Sequence, residues 1–427
     1  MNKTWRGSKV WVQIGIALLL LASTGSSPAS QVRANDYVPP YYVEQVADIA
    51  SGYASSDPSW FTNVNGMLYF QASDPERGAE LWKYSPLTGE ATIVEDIYVG
   101  DTDSTPEWLT VYGDDIYFTA TDAVHGRHVW RLDTATNAVK LVVDLGNYPV
   151  VSDPRWSQFV GPVLYFNARA GNGKELYAYD TRTGQARLVK EINLAGDSNP
   201  QYLFGQGSTL YFTADNGIHG EEIWRSNGTS DGTYMIKDIY QGSNGSKPSS
   251  FNLLGYMFVF SANDGVHGRE LWRSYGTAGS TKMVKDIAYG IKDSNPGWSN
   301  RLANSMIFFP AETETYGTEL WRFDPQYGAY LLADINKGDK DSDPAAIGSI
   351  GWVMFFAAKD DKAGAELWKT EPPYTYAVRV SDITPVLSLL IQNRWKDWEP
   401  PCSSPPMMVY TAKKCGSLNS PTRRRTC

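Results

Sequence analysis

A twenty-residue block that recurs along the chain constrains its fold more than any other feature of the sequence. The block GEEIWRSNGTSDGTYMIKDI, at Gly220–Ile239, returns forty-eight residues later as GRELWRSYGTAGSTKMVKDI, at Gly268–Ile287. Looser copies occupy almost everything from residue 48 to residue 383. A repeat of this length indicates an array of equal structural units rather than two or three ordinary domains.

Two marks define the repeat. An acid followed by Ile or Leu recurs at intervals of 47 or 48 residues, at Asp48, Asp96, Asp144, Glu191, Asp238, Asp286, Asp334 and Asp382. Between successive marks lies one Glu-Leu-Trp-like cluster, beginning at Glu80, His128, Glu175, Glu222, Glu270, Glu319 and Glu366. The chain therefore contains seven full units.

Each unit divides into four short strand patterns separated by turn residues. In the first unit we expect strands at Ser59–Val64, Met67–Ala72, Gly78–Tyr84 and Ala91–Ile97, with Asn65-Gly66 as a hairpin turn. Strands joined by such short turns run antiparallel. A four-stranded antiparallel sheet repeated at this period is typical of a propeller blade. The sequence predicts an all-β fold, a seven-bladed β-propeller over residues 35–385 built from 47–48-residue repeats.

An additional fourth-strand pattern precedes the first unit. Tyr42–Ile49 resembles the last strand of every repeat, as does Tyr376–Ile383 at the other end. Either segment can supply the outer strand of the last blade, and the pattern leaves both open.

The N-terminus predicts a signal peptide over residues 1–34. Lys3, Arg6 and Lys9 form a basic leader, and Val10–Ala22 is an apolar run. The run is shorter than the roughly 20 residues that span a bilayer, which argues against a membrane anchor. We expect a secreted, extracellular or cell-surface protein with no transmembrane span in the mature chain.

The C-terminal residues 386–427 predict a weakly ordered, basic tail rich in Pro and Ser. All three cysteines lie there. Cys402 and Cys415 can form a disulfide in an oxidising compartment, which leaves Cys427 unpaired or bridged to another chain. A truncated or frame-shifted end would also leave an odd cysteine.

The charge distribution argues against nucleic acid as a partner. The net charge is −9, and because the two ends carry +4 and +5, residues 35–385 carry −18. An acidic body of this size repels a phosphate backbone. A protein or carbohydrate ligand remains open.

Two loops of every blade emerge on the same face of the predicted ring, and they carry the candidate binding residues. Carboxylates at alternating positions can bind calcium, at Asp101, Asp103, Asp339, Asp341 and Asp343. Histidines in the acid-Gly-His loops, which join the second and third strands as at Asp215–Gly220, are candidate ligand-binding residues and weaker zinc ligands, at His125, His219 and His267. The alternative for both loops is ordinary turn chemistry, with Asp, Asn and Ser bonding backbone N–H groups.

Two sets of tryptophans have different expected roles. Those of the Glu-Leu-Trp clusters suit packing between blades. Those that follow the Ser-x-Pro loops, which lead from one blade to the next as at Ser104–Pro106, lie nearer the loop-bearing face and are candidates for stacking on a ligand, at Trp60, Trp108, Trp156 and Trp298.

The repeat resembles the bacterial ELWxxDGT repeat of predicted secreted and surface proteins. Glu222–Thr229, EIWRSNGT, and Glu270–Thr277, ELWRSYGT, carry the resemblance, with Asn and Tyr where the family has Asp. The strand order is more distantly similar to propellers of the TolB type. The family has no settled activity, so the resemblance implies a fold and a location and adds little on function.

For function we expect a secreted, non-enzymatic binding or adhesion module for a protein or glycan. The chain has no Gly-x-Ser-x-Gly, no phosphate loop and no HExxH motif. The alternative is a hydrolase or lyase with a site at the axial mouth, built from carboxylates of several blades. Polar residues that do not repeat would favour the alternative, and the least typical units offer His128, Arg155, Arg169 and Lys174.

Overall fold

The computed structural model describes residues 45–51, 54–146, 152–171, 173–297, 300–302 and 306–380. The predicted signal peptide, the tail with Cys402 and Cys415, and Trp298 lie outside these residues. Among the residues described, no helix is long and apolar enough to cross a membrane.

Seven four-stranded sheets make up the described chain, and within each the strands follow chain order and pair antiparallel. Blade 1 comprises β1–β4 at Ser59–Val64, Met67–Asp74, Gly78–Ser85 and Glu90–Glu95. Blade 2 comprises β5–β8 at Glu107–Tyr112, Asp115–Asp122, Gly126–Asp133 and Ala138–Val143. Blade 3 comprises β9–β12 at Arg155–Val160, Val163–Ala170, Gly173–Asp180 and Gln185–Lys190. Blade 4 comprises β13–β16 at Gln201–Gln206, Thr209–Asp215, Glu221–Ser226 and Tyr234–Lys237.

The remaining three blades have the same plan. Blade 5 comprises β17–β20 at Ser249–Leu254, Met257–Asn263, Arg269–Ser274 and Lys282–Lys285, with a single 3-10 turn at Ala278–Ser280. Blade 6 comprises β21–β24 at Asn300–Leu302, Met306–Thr313, Gly317–Asp324 and Gly328–Ala333. Blade 7 comprises β25–β28 at Ala345–Ile350, Val353–Asp360, Gly364–Thr370 and Val378–Arg379. The predicted all-β, seven-bladed β-propeller is confirmed.

The hydrophobic core lies between the blades rather than inside any one of them. Tyr69 and Leu81 of blade 1 pack in one cluster with Ile116 and Phe118 of blade 2. Ile97, from the loop that joins these blades, is buried in the same cluster. A small twisted sheet cannot bury both of its faces alone, so each blade depends on its neighbours.

The outer strand of the last blade comes from the C-terminal side. Val378–Arg379 pairs with β27, whereas residues 45–51 form no strand. Ile49 packs against Phe70, Ala72 and Trp82 of blade 1. The start of the described chain therefore contributes a side chain, and not a strand, to the first blade.

The loop between the second and third strands of one blade contacts the loop that leads to the next blade, at the face where both were expected. Gly220, in the loop between the second and third strands of blade 4, has a φ of +67°. A Cβ built on it would lie 2.5 Å from the backbone N of Gly245, in the loop that leads to blade 5. This approach leaves no room for a side chain, which explains the glycine.

Candidate functional site

A buried glutamate anchors the loop that leads from one blade to the next. The carboxylate of Glu80 accepts the backbone N–H groups of Ile97 at 3.0 Å, Tyr98 at 3.4 Å and Ser104 at 3.1 Å. It also accepts the Ser104 hydroxyl at 2.6 Å. The same serine-to-glutamate bond, at 2.6 Å each time, links Ser198 to Glu175, Ser246 to Glu222, Ser294 to Glu270 and Ser342 to Glu319. Because it repeats, this contact belongs to the scaffold.

Burial changes the acidity of these glutamates. It raises the pKa of Glu80 and of Glu222 to about 7, although the hydrogen bonds that each carboxylate accepts oppose the shift. The acid of the Asp-Ile pair bonds the same loop, since Asp96 accepts the N–H of Gly100 at 3.3 Å. The glutamate of the Glu-Leu-Trp cluster accepts more of the loop's N–H groups than this aspartate does. The sequence pattern alone does not show which acid accepts them.

Blade 2 has a histidine where the other blades have this glutamate. His128 is 3% exposed. Its Nδ1 lies 3.1 Å from the Ser152 hydroxyl and its Nε2 lies 2.8 Å from the carbonyl oxygen of His125. Nε2 is also 3.8 Å from the Asp144 carboxylate. The imidazole therefore occupies the structural position of the carboxylate and is not part of an open site.

Charged side chains of blades 2 and 3 cluster where the loops enter the innermost strands. The guanidinium of Arg127 donates to Glu107 at 2.7 Å and lies 3.6 Å from Asp153. Asp153 also contacts Arg155 Nε at 3.0 Å and Lys174 Nζ at 3.2 Å. We call these five residues the mouth cluster.

The residue type at the strand position of Arg127 differs from blade to blade, whereas the glutamate-to-loop contacts beside it repeat. The equivalent residues, each the second of a third strand or its match in register, are Ala79, Arg127, Lys174, Glu221, Arg269, Thr318 and Ala365. A scaffold role favours one residue type in most blades, as at Glu80 and its equivalents. This position has cations, an anion and small residues, which is the non-repeating polarity expected of a site.

The mouth cluster holds two carboxylates close together. Glu107 and Asp153 both contact the guanidinium of Arg127, so their nearest oxygens are no farther apart than about 9 Å, a limit that paired carboxylates in glycosidases also respect. Both side chains are partly exposed, at 32% and 26%, whereas that of Arg127 is 10% exposed. Two accessible carboxyls at this separation can act as an acid and a base on one bound molecule.

The sequence-predicted Arg169 lies opposite Lys174 in the strand pair, and its guanidinium pairs with Asp197. In blade 4 the equivalent of Arg127 is Glu221, whose carboxylate accepts the Thr213 hydroxyl at 2.8 Å. Burial raises the pKa of Glu221 despite this bond. Polar side chains thus continue from blade 2 into blade 4 at the same level of the ring.

Three of the four predicted ligand-stacking tryptophans meet in one arc of aromatic rings. The centroids of Trp60 and Trp108 are 4.9 Å apart, those of Trp108 and Trp156 are 4.9 Å apart, and those of Trp156 and Tyr202 are 4.8 Å apart. These residues come from the first strands of blades 1 to 4, directly after the loop. The sequence did not single out Tyr202, although its place in the repeat was readable.

A bulge turns each of these rings out of its sheet. Trp60, Trp108, Trp156 and Tyr202 have φ values of +56°, +59°, +57° and +52°. The register of the first strand with the second shifts at the same point, as between Glu107 and Thr110. Positive φ is strained for a bulky residue, and such strain recurs at functional sites.

The predicted histidines stay in separate blades. His125 Nδ1 lies 2.7 Å from Asp122 and His267 Nδ1 lies 2.8 Å from Asp264. His219 has Asn216 Oδ1 at 3.2 Å instead. The hydrogen bond that each imidazole donates to the neighbouring carboxylate raises the pKa of His125 and of His267.

The predicted calcium ligands bond to the loops. Asp103 accepts the N–H of Ala79 and Asp341 that of Thr318, each at 2.7 Å. Asp343 pairs with Lys359, while Asp101 and Asp339 are exposed. In the part of the chain that the structure describes, no three His, Cys, Asp or Glu side chains are placed to hold one metal ion. Calcium binding stays a prediction from the sequence pattern.

The fold defines the class of protein as a seven-bladed β-propeller, with the mouth cluster and the aromatic arc at neighbouring positions of its first strands. Solved structures with similar folds include a puromycin-hydrolyzing peptidase of Mycobacterium tuberculosis, at 12% identity and a TM-score of 0.42, with 77% of this chain and 53% of that chain covered. They also include a prolyl endopeptidase, at 9% and 0.45, with 76% and 49% covered. TolB of Acinetobacter baumannii gives 14% and 0.31, with 74% and 63% covered.

The chain thus spans about half the length of the two peptidases it matches. No family model matches the chain, and no curated protein matches it by sequence. The sequence-based prediction of a non-enzymatic binding module is wrong by this comparison, because the similar structures include a puromycin hydrolase and prolyl endopeptidases. At these identities the likeness describes the fold alone, so evidence for a reaction has to come from the residues of the site.

Proposed function

We propose that this chain acts as a hydrolase whose site is the mouth cluster. The observation that carries the proposal is the strand position of Arg127, which differs in chemistry from blade to blade while the surrounding scaffold repeats. Selection for folding alone would favour one solution in all seven blades. Glu107, Asp153 and the three cations around them form a polar group that joins blades 2 and 3.

The two carboxyl groups supply the chemistry. In hydrolysis, one carboxylic acid gives a proton to the leaving group, and the other carboxylate takes a proton from the attacking water. Arg127 contacts both carboxylates and fixes their positions. Arg155 and Lys174 approach Asp153 from other directions and complement its charge.

Activity measurements on the purified chain test the proposal. Chromogenic glycosides, esters and peptides are incubated with the wild type and with Glu107→Gln and Asp153→Asn, which keep shape and remove charge. We expect turnover of at least one substrate class and a loss of about a hundredfold in each variant, the usual contribution of one positioned acid or base. Glu90→Gln, an exposed residue of β4, is the matched control. No turnover by the wild type, or equal turnover by all variants, would overturn the proposal.

The proposed family and location follow from the repeat. We infer that the chain is a secreted member of the ELWxxDGT-repeat proteins. In support, the Glu of that motif bonds the connecting loop and the Trp packs between blades, as at Glu222 and Trp224. Expression in a bacterium with N-terminal sequencing of the exported form tests the export. A chain retained inside the cell at its full length would contradict it.

A further inference from the structure

The aromatic arc stands close to the axis of the propeller. In a closed ring of seven equal blades, a step of 4.9 Å between equivalent points places them about 6 Å from the axis. Adjacent blades are rotated by about 51°, and the planes of adjacent rings in the arc differ by 40° to 50°. The ring planes rotate from one blade to the next almost as much as the blades themselves. Each ring plane is therefore nearly parallel to the propeller axis. The rings therefore form a wall of the channel and do not lie across it.

The wall is accessible and has polar groups beside it. Trp60, at the end of the arc, is 38% exposed. Ser250 has the same bulge position in blade 5, with a φ of +55°, and interrupts the wall with a small side chain. The buried Nε1 of Trp108 has no hydrogen-bond partner among the described residues.

The mouth cluster lies one residue from the arc along two strands. Glu107 precedes Trp108 in β5, and Arg155 precedes Trp156 in β9. Glu107, one of the two proposed carboxyls, is therefore the chain neighbour of an indole of the arc, and Asp153 lies in the loop that enters β9. Three cations in the cluster disfavour a cationic ligand, although an aromatic arc alone would suit one.

We propose that the aromatic arc binds a single sugar ring at the end of a glycan, which makes the mouth cluster the site of a glycosidase that removes terminal residues. This inference rests on the proposed hydrolase function. Apolar C–H faces of a pyranose stack on aromatic rings, and its hydroxyls bond to the charged groups at the rim. A channel whose aromatic wall stands about 6 Å from the axis admits one ring and excludes the middle of a chain.

The reaction then balances as hydrolysis. The glycosidic C–O bond breaks, and the leaving oxygen takes a proton from one carboxylic acid of the mouth cluster. Water adds its hydroxyl to the anomeric carbon, and its remaining proton goes to the other carboxylate. The products are a free monosaccharide and a glycan shortened by one residue.

A glycan array probed with the inactive Glu107→Gln full-length chain tests the binding. The best neutral oligosaccharide on the array is then titrated by tryptophan fluorescence. We expect Trp108→Ala and Trp60→Ala, each combined with Glu107→Gln, to weaken binding about tenfold, as for the loss of one aromatic contact. The control is Trp352→Ala, a 62% exposed tryptophan in the turn between β25 and β26. Circular dichroism confirms that the variants fold.

The outcomes separate this inference from the proposed function. No bound glycan, or equal binding by Trp60→Ala and the control, overturns the sugar site even when esters or peptides are cleaved. Binding without cleavage by the wild type overturns the hydrolase and leaves the sugar site standing. Release of mixed internal fragments in place of monosaccharide overturns the assignment to chain ends.

Discussion

Ser104 donates its hydroxyl to the buried carboxylate of Glu80 across 2.6 Å. The carbonyl of the same serine accepts the N–H of Thr121, in the second strand of blade 2, at 2.9 Å. One residue thus joins the third strand of blade 1 to the next blade. Both Glu80 and Ser104 are fully buried, so neither bond can be replaced by water without opening the interface.

Ser104→Ala is expected to lower the free energy of unfolding by about 2 kcal/mol, the usual value for a lost hydrogen bond to a charged group. The remaining N–H donors to Glu80 keep its place in the loop. Urea unfolding measures the effect. Thr102→Ala, at an exposed position of the same loop, is the control and should change little. Equal stability of the two variants would show that the serine hydroxyl contributes nothing.

The raised pKa of Glu80 and Glu222 predicts a pH dependence of stability. Each side chain binds its proton more tightly in the folded state, with a pKa of about 7, than in the unfolded state, where the ordinary value is 4.5. The folded chain therefore holds more protons between these limits, and stability falls as the pH rises from 4.5 to 7. Urea midpoints at pH 5.5 and pH 8 should show the higher value at pH 5.5.

Glu222→Gln should flatten this dependence, because the amide does not titrate. The free energy of unfolding of this variant should also fall. The carboxylate of Glu222 accepts hydrogen bonds from the N–H and the hydroxyl of Ser246, and the NH2 group of an amide cannot accept them. A slope with pH unchanged in Glu222→Gln would mean that other groups cause it.

His128→Glu should restore in blade 2 the contact of the other blades. We expect a loss of stability below about 1 kcal/mol, since the Ser152 hydroxyl can donate to the new carboxylate. His128→Ala leaves Ser152 and a cavity behind, and should cost about 2 to 3 kcal/mol. Thermal or urea unfolding compares the two variants. Equal losses would show that the scaffold does not accept a glutamate in this blade.

Gly220→Ala tests the interlocked loops. Its Cβ would lie 2.5 Å from the backbone of Gly245, and φ is +67°. Gly113→Ala has a similar φ of +63° with open space around it, so it carries the conformational cost alone, about 1 kcal/mol. Gly220→Ala should be less stable than this control by at least about 2 kcal/mol. Urea unfolding of both proteins gives the difference.

Much of the fold could be predicted because every blade has the same sequence pattern. The four strands of blade 1 begin within one residue of their expected positions, since hairpin turns and alternating apolar residues are local signals. The supplier of the last strand could not be predicted. Tyr42–Ile49 and Tyr376–Ile383 have the same local pattern, and only tertiary packing distinguishes the paired Val378–Arg379 from the unpaired Ile49.

The candidate site was only partly readable. Trp60, Trp108 and Trp156 were found from their place after the Ser-x-Pro loops, and Arg155 and Lys174 from their failure to repeat. Glu107 was missed, because it is one acid among many until Arg127 brings it near Asp153. The absence of a catalytic motif was weak evidence against a reaction, because a site assembled from several blades needs no local motif.

The sequence by itself determined the number of blades, their strands and the face that carries the loops, because these depend on periodicity and turn chemistry within about fifty residues. Only the tertiary structure decided which carboxylate anchors each loop and which charged residues meet at the mouth. Burial and distance across blade boundaries set those relationships. No stretch of sequence contains them, because Glu107, Arg127 and Asp153 come together only when neighbouring blades stack.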